Sequence, residues 1–297
     1  MASLAQWVDG IRPRTLPIAL APVIAGIAAA NHVDESPSWP AMIGALVVAL
    51  ALVAGVNYAN DYSDGIRGTD DNRVGPQRLV GSGAASPGAV RTAAIIAFLI
   101  AAVAGVWLSL ATHWWLILVG AVCILAAWFY TGGSRPYGYA GFGEIAVFVF
   151  FGLVAVCGTQ LVVGGRIDSV GVGIAIAIGS FASAILVTNN LRDIDSDREN
   201  GKNTLAVRLG PVNARRYHAC LLMGALVCLA LFNLISLHSL WGWLFVLAAP
   251  LLIKQARFVM RERSPAAMPP MLERTVKGAL LTNLLFVIGI VLSQTLS

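Results

Sequence analysis

The sequence predicts an all-α, polytopic membrane protein with nine transmembrane helices, built as a single domain over residues 1–297. Three observations predict it. Of the 297 residues 58% are hydrophobic and only 12% are charged, about half the roughly 25% charge that a soluble domain carries. Apolar runs of bilayer length recur along the whole chain, and the basic residues fall almost entirely on alternate connections. A soluble enzyme, a disordered chain, a collagen and a disulfide scaffold are thereby excluded. The net charge of +5 reads as membrane orientation rather than as a nucleic-acid surface.

A helix crossing the hydrocarbon core needs about 20 mainly apolar residues. The first run, 15–31, carries Pro17 and Pro22 and follows Arg12-Pro13-Arg14. It reads as a retained helix, although Ala28-Ala29-Ala30 resembles a signal-peptidase site. The run 40–60 ends in a group of acids. The pairs 92–110 with 113–131, 142–163 with 170–191, and 217–236 with 240–256 have short separators, as antiparallel neighbours do, and 277–295 closes the set. Cys123, Cys157, Cys220 and Cys228 all sit in apolar stretches without C-x-x-C spacing, so they read as small buried hydrophobes and not as a disulfide or zinc set.

With the N-terminus cytoplasmic, all of the 20 Lys and Arg residues except Arg166 fall on the inner side. That bias fixes orientation in a cytoplasmic membrane and puts the C-terminus outside. A basic loop that binds an anionic substrate produces the same asymmetry, and both readings stand. Trp39, Trp107, Trp114, Trp115, Trp241 and Trp243 cluster near the expected outer ends, as interfacial anchors do.

Eight of the 15 acids, Asp61, Asp64, Asp70, Asp71, Asp193, Asp195, Asp197 and Glu199, lie in two short segments that close the second and sixth spans. Both segments contain N-x-x-x-D, as Asn57/Asp61 and Asn189/Asp193, which suggests an internal repeat of a four-helix unit. At about 100° per residue, Asn57, Asn60, Asp61 and Asp64 share an arc of roughly 100°. On a continuous helix Asn189, Asp193 and Asp197 share roughly 80°, and Asp195 points away. Carboxylates at a helix C-terminus oppose the macrodipole, and clustered acids at a membrane boundary call for counter-ions. Mg²⁺ suits them, because it takes one or two carboxylates and completes its shell with water and phosphate. Arg67, Arg73 and Arg78 after the first cluster, and Arg198, Lys202 and Arg208 after the second, interleave with the acids, and acids to hold metal beside cations to hold phosphate oxygens make a polyphosphate-handling arrangement. Gly81-Ser82-Gly83 is too generic for a phosphate loop, and none of the four histidines is assigned a catalytic role.

Asn60-Asp61-Tyr62-Ser63-Asp64 resembles the first aspartate-rich motif, N-D-x-x-D, of the UbiA-type intramembrane prenyltransferases, and Asp193 to Asp197 resembles their second, D-x-x-x-D. Arg12-Pro13-Arg14-Thr15-Leu16-Pro17, Gly75-Pro76-Gln77-Arg78-Leu79-Val80 and Asn189-Asn190-Leu191-Arg192-Asp193 are similar to the branch whose acceptor is 1,4-dihydroxy-2-naphthoate. The resemblance covers nearly the whole chain. One departure is Gly68, where the wider family often has a third aspartate, so Asp70 and Asp71 stay outside the core metal set.

The resemblance implies a UbiA-type helical bundle with its active site on the cytoplasmic side. It implies a polyprenyl diphosphate donor, an electron-rich aromatic acceptor, and Mg²⁺ held by Asn57, Asn60, Asp61, Asp64, Asn189, Asp193 and Asp197. Asp61, Asp64, Asp193 and Asp197 then assist diphosphate departure, and the ring carbon bearing the carboxylate attacks the allylic cation, with loss of CO₂ and a proton to give demethylmenaquinol. Arg73, Arg78, Arg192 and Lys202 are then candidate diphosphate clamps, Arg135 is a candidate partner of the acceptor carboxylate, Glu144 of its phenolic proton, and Tyr130 of the cation. The lipid bilayer is the remaining partner, since the prenyl chain needs an apolar tunnel. Rival readings are the same chemistry on another aromatic acceptor, an alcohol phosphotransferase whose D-G-x-x-A-R opening is absent after Asp64-Gly65, and a cation-coupled transporter.

Overall fold

A computed structural model of the chain describes residues 2–33, 37–68, 78–263 and 268–296, all helix, turn or irregular backbone with no strand among them. The helices, in chain order, are α1 (Leu4–Ile11), α2 (Leu16–Val33), α3 (Trp39–Gly65), α4 (Pro87–Ala111), α5 (Leu116–Phe129), α6 (Gly143–Gly164), α7 (Ser169–Arg192), α8 (Ile194–Glu199), α9 (Leu205–Leu237), α10 (Trp241–Arg261) and α11 (Met268–Thr295). Eight of these are long and apolar enough to cross a membrane, and α5 is a shorter apolar helix. Together they account for the nine expected spans. Two helices begin earlier than the apolar runs suggest. Within α9 the backbone breaks at Gly210 (φ 72°, ψ 163°), with Arg208 on the turn before it and Arg215 and Arg216 on the helix after it, and Glu273, Arg274 and Lys277 belong to α11, because a helix continues into the polar layer where apolarity ends.

The chain packs as two compact units. The first comprises Met1–Leu20 and Ile43–Tyr139. Its core gathers Tyr58, Ala59, Leu79, Val90, Ala94 and Phe98. Gly10 lets α1 approach closely there, since a Cβ would come 2.8 Å from Leu79 and 2.9 Å from the Tyr58 ring and would push those side chains aside. The short helix α1 is fixed by a capping box, in which Ser3 and Gln6 exchange side-chain-to-backbone bonds.

The second unit comprises Ala21–Met42 and Ala140–Ser297. Helix α7 is its axis, packed against α6, α9 and α11, with 78% of its most apolar window buried. Without a hydrophobic drive between helices in lipid, close backbone approach supplies the packing. Gly152 of α6 meets α7 so closely that a Cβ would lie 2.5 Å from the Ala175 carbonyl oxygen. Around this contact α6 is wound as a π-helix over Phe148–Cys157. A buried polar network ties α9, α10 and α11. Thr275 Oγ1 donates to the Met271 carbonyl at 2.9 Å and accepts from Gln255 at 3.1 Å, and His218 Nε2 lies 3.4 Å from it.

Asp168 caps α7 through the Gly171 N–H at 2.9 Å, and it also accepts from Gln160 at 2.7 Å and His32 Nδ1 at 2.9 Å. Burial alone would raise its carboxyl. The hydrogen bonds from His32, Gly171 and Gln160, with the charge of His32, outweigh that and hold it at about 2, down from 3.8. A carboxyl depressed in the folded state stabilises fully above its unfolded value and loses that contribution as pH falls from about 4 through 2. Asp168→Asn is therefore expected to cost roughly 1–3 kcal/mol at neutral pH. Thermal unfolding in detergent checks this, and the gap to wild type should narrow steadily below pH 4.

Candidate active site

The last two turns of α3 carry the first acidic motif, and its side chains turn inward. Asn57, Asp61 and Asp64 are buried, as is Arg78 beyond the helix. Asn57 Nδ2 donates to the Ile11 carbonyl at 2.7 Å and Tyr58 Oη to the Trp7 carbonyl at 2.8 Å, so the N-terminal segment is pinned to the motif. Asn60 Oδ1 accepts from Thr131 Oγ1 at 2.7 Å. Asp61 accepts the backbone N–H groups of Leu79 at 2.8 Å and Val80 at 3.0 Å, one on each oxygen. A carboxylate has about four lone-pair sites, so each oxygen keeps one for another partner.

Asp64 faces different company. The Arg78 guanidinium lies 3.4 Å from one of its oxygens, and the Tyr139 hydroxyl donates to the other. Arg67 donates to the Thr131 and Gly133 carbonyls and lies 5.5 Å above the Tyr139 ring. Two loops, one after the first motif and one after α5, are thus bound to the end of α3. Tyr139 was not among the residues singled out from sequence; its place two residues beyond Tyr137, in the loop already marked by Tyr130 and Arg135, is the signal that could have found it.

Tyr130 is half-buried and stands edge-on to Tyr137, with ring centroids 5.5 Å apart. Burial pushes the Tyr137 phenol up to about 12, and its hydroxyl donates to the Ala126 carbonyl at 2.8 Å. That group stays neutral and is no proton acceptor at neutral pH. Arg135 is exposed. Arg73, Asp70 and Asp71 lie outside the described residues.

In the second unit the other motif does not continue one helix. Helix α7 ends at Arg192, Asp193 adopts φ −97° and ψ 7°, and the short α8 restarts at Ile194. Arg192 grips its neighbour Asp193 with two bonds, Nε at 2.7 Å and Nη2 at 2.6 Å. Asp197 is buried within α8, its carbonyl accepting the Lys202 N–H at 2.7 Å. Asp195 is exposed, 3.6 Å from Arg198. Asn189 and Lys202 are half-buried.

Glu144, in the first turn of α6, is almost wholly buried at 1% exposure. Its Oε1 accepts from Asn190 Nδ2 at 2.9 Å, and its Oε2 is buried with no hydrogen-bond partner among the described residues. Asn190 stands one residue after Asn189 and three before Asp193 on α7, so the Glu144 carboxyl sits within about one turn of the second motif.

Among the described residues no three His, Cys, Asp or Glu side chains are close enough to hold a metal by themselves. Hard oxygen donors in ones and twos, beside cations, fit an ion that keeps waters and arrives with phosphate ligands, which is the habit of Mg²⁺. Asp64 with Asn57 and Asn60 on α3, and Asp193 with Asp197 and Asn189 around the end of α7, are such donors.

A helical membrane bundle with paired aspartate motifs at helix ends defines a class, and the sequence bears this out: the profile of the UbiA prenyltransferase family matches residues 19–292, and the chain belongs to that family. It is 53% identical over 301 aligned positions to the 1,4-dihydroxy-2-naphthoate octaprenyltransferase of Escherichia coli (strain K12), covering 97% of this chain and 96% of that protein. It is 54% identical over 275 positions to the protein of the same name from Mycobacterium tuberculosis (strain ATCC 25618 / H37Rv), covering 93% of each. Solved structures share the fold: a UbiA homolog from Aeropyrum pernix K1 in the apo state, TM-score 0.72 at 15% identity over 94% of this chain and 98% of that one, and a UbiA homolog from Archaeoglobus fulgidus bound to DMAPP and Mg²⁺, TM-score 0.64 at 14% identity over 95% and 99%.

Proposed function

We propose that this chain transfers a polyprenyl group from polyprenyl diphosphate to 1,4-dihydroxy-2-naphthoate, releasing diphosphate and CO₂ and giving demethylmenaquinol. The observation that carries the reading is identity above 50% over nearly the full length of relatives that bear this activity in their names. The whole chain, 1–297, then serves as one catalytic domain.

Asp64, Asp193 and Asp197, with Asn57, Asn60 and Asn189 beside them and a remaining lone pair on each Asp61 oxygen, are the residues that would hold Mg²⁺. When bound there, the ion supplies positive charge that offsets the charge growing on the departing diphosphate. Arg78, Arg73, Arg192 and Lys202 bind phosphate oxygens; for Arg192 this means leaving Asp193 as substrate arrives. As the C–O bond of the donor breaks, the ring carbon bearing the carboxylate bonds to the allylic carbon. Glu144 Oε2 takes the phenolic proton at that moment and returns it when CO₂ leaves, so the ring regains its aromatic quinol form. Arg135 pairs the acceptor carboxylate, and the Tyr130 face stabilises the allylic cation. The N-terminus and this chemistry lie on the cytoplasmic side, with the C-terminus outside.

Purified protein in nanodiscs with dihydroxynaphthoate, polyprenyl diphosphate and either Mg²⁺ or EDTA tests the reading. Magnesium-dependent prenylated naphthoquinol with one CO₂ per turnover is expected. Preference for 4-hydroxybenzoate in the same assay would overturn the acceptor, and full activity in EDTA would overturn the metal.

A further inference from the structure

A groove open to the protein surface runs between α9 and α10, with a volume of about 420 Å³. Ala219 and Met223 of α9 and Ile253 and Met260 of α10 form its apolar wall, and Arg257 and Arg261 stand at one end. Both helices are membrane spans, so what lies against this wall is lipid, not water. The volume falls in the usual range for a small-molecule site, about 300–1,000 Å³, and methionine walls adapt to flexible chains.

The charge sets the occupant. Three cations nearby are engaged: Arg215 donates to the Glu262 carbonyl at 3.0 Å, Arg274 lies 5.1 Å from the Phe258 ring, and Lys277 pairs with Glu273 at 2.5 Å. Arg257 and Arg261 are exposed, one helical turn apart, and neither has a hydrogen-bond or carboxylate partner among the described residues. Two free guanidinium groups above an apolar slot match one amphiphile, with phosphate oxygens for the cations and an acyl chain for the slot. No carboxylate lines the groove, so it offers no ligand to a metal-bound diphosphate, whereas a phosphodiester carries one charge and needs no metal.

We propose that the α9–α10 groove is a binding site for an anionic diacyl phospholipid, its phosphate held by Arg257 and Arg261 and one acyl chain lying along Met223 and Ile253. The site is separate from the prenyl-transfer residues and does not depend on the reaction assigned to them. Native mass spectrometry of the full-length protein, released from vesicles of phosphatidylcholine with or without phosphatidylglycerol, reads the retained lipid directly. The wild type should retain phosphatidylglycerol in preference to phosphatidylcholine. R257Q/R261Q should lose that preference by about tenfold to thirtyfold, Ala219→Trp should lose retention by filling the slot, and the exposed control Lys277→Gln should keep it. Unchanged melting temperatures in detergent will establish that the variants fold. Equal retention by R257Q/R261Q and wild type, or displacement of the lipid by micromolar farnesyl diphosphate, would overturn the proposal.

Discussion

Asp64→Asn is expected to lower turnover by at least about a hundredfold and to lower the melting temperature as well, because it leaves the buried Arg78 guanidinium without its carboxylate. The expectation rests on what Asp64 touches. Arg78 and Tyr139 are among its partners, so an amide of the same size keeps the shape, loses the charge that binds a cation, and leaves the Arg78 charge uncompensated. Removing one electrostatic partner of a developing anion costs about 10²–10³ in rate. Asp61→Asn should lose stability by a different route. Asp61 spends one lone pair of each oxygen on the Leu79 and Val80 amides, and the variant's NH₂ would leave one of those buried donors without an acceptor, at about 1–3 kcal/mol. It should therefore lose both turnover and stability. Rates and melting curves of the two variants side by side check this pair. Wild-type turnover in Asp64→Asn would remove that residue from the metal site.

Glu144→Gln is expected to reduce product formation by about 10²–10⁴, the usual contribution of a positioned base, with polyprenyl diphosphate binding retained. The carboxyl is buried, anchored on one oxygen by Asn190, and open on the other; Gln keeps the shape and cannot accept the phenolic proton. Rapid-quench turnover together with donor binding measures both halves. Turnover within threefold of wild type would show that the phenolic proton leaves by another route. Asn190→Ala serves as the companion variant: it should lower the rate less, because it frees the carboxyl to rotate without removing it.

The membrane architecture was legible because apolar runs are a local signal, and nine of them appear as helices. Helix ends were less so. The starts of α9 and α11 lie well before the apolar stretches, and the break at Asp193 interrupts what the i, i+4 spacing of Asn189, Asp193 and Asp197 suggested as one face. Residue choice within the site followed spacing along one segment, which brings out Asn57, Asn60, Asp61 and Asp64 on α3. Contacts across the chain leave no such pattern. Asp61 meets amides 18 residues away, Asn190 meets Glu144 across 46, and Tyr139 meets Asp64 across 75. Each depends on where loops return after a helix, which periodicity does not encode.

The bidentate bond between Arg192 and Asp193 also bears on how the protein is made. The two residues are adjacent in the chain, so they pair before any helix has found a neighbour. A lone charge at the centre of an inserting segment opposes integration by about 2.5–3.5 kcal/mol, and by less near its end, where these two lie. As a hydrogen-bonded pair of opposite charges at the end of α7, they add little to that cost.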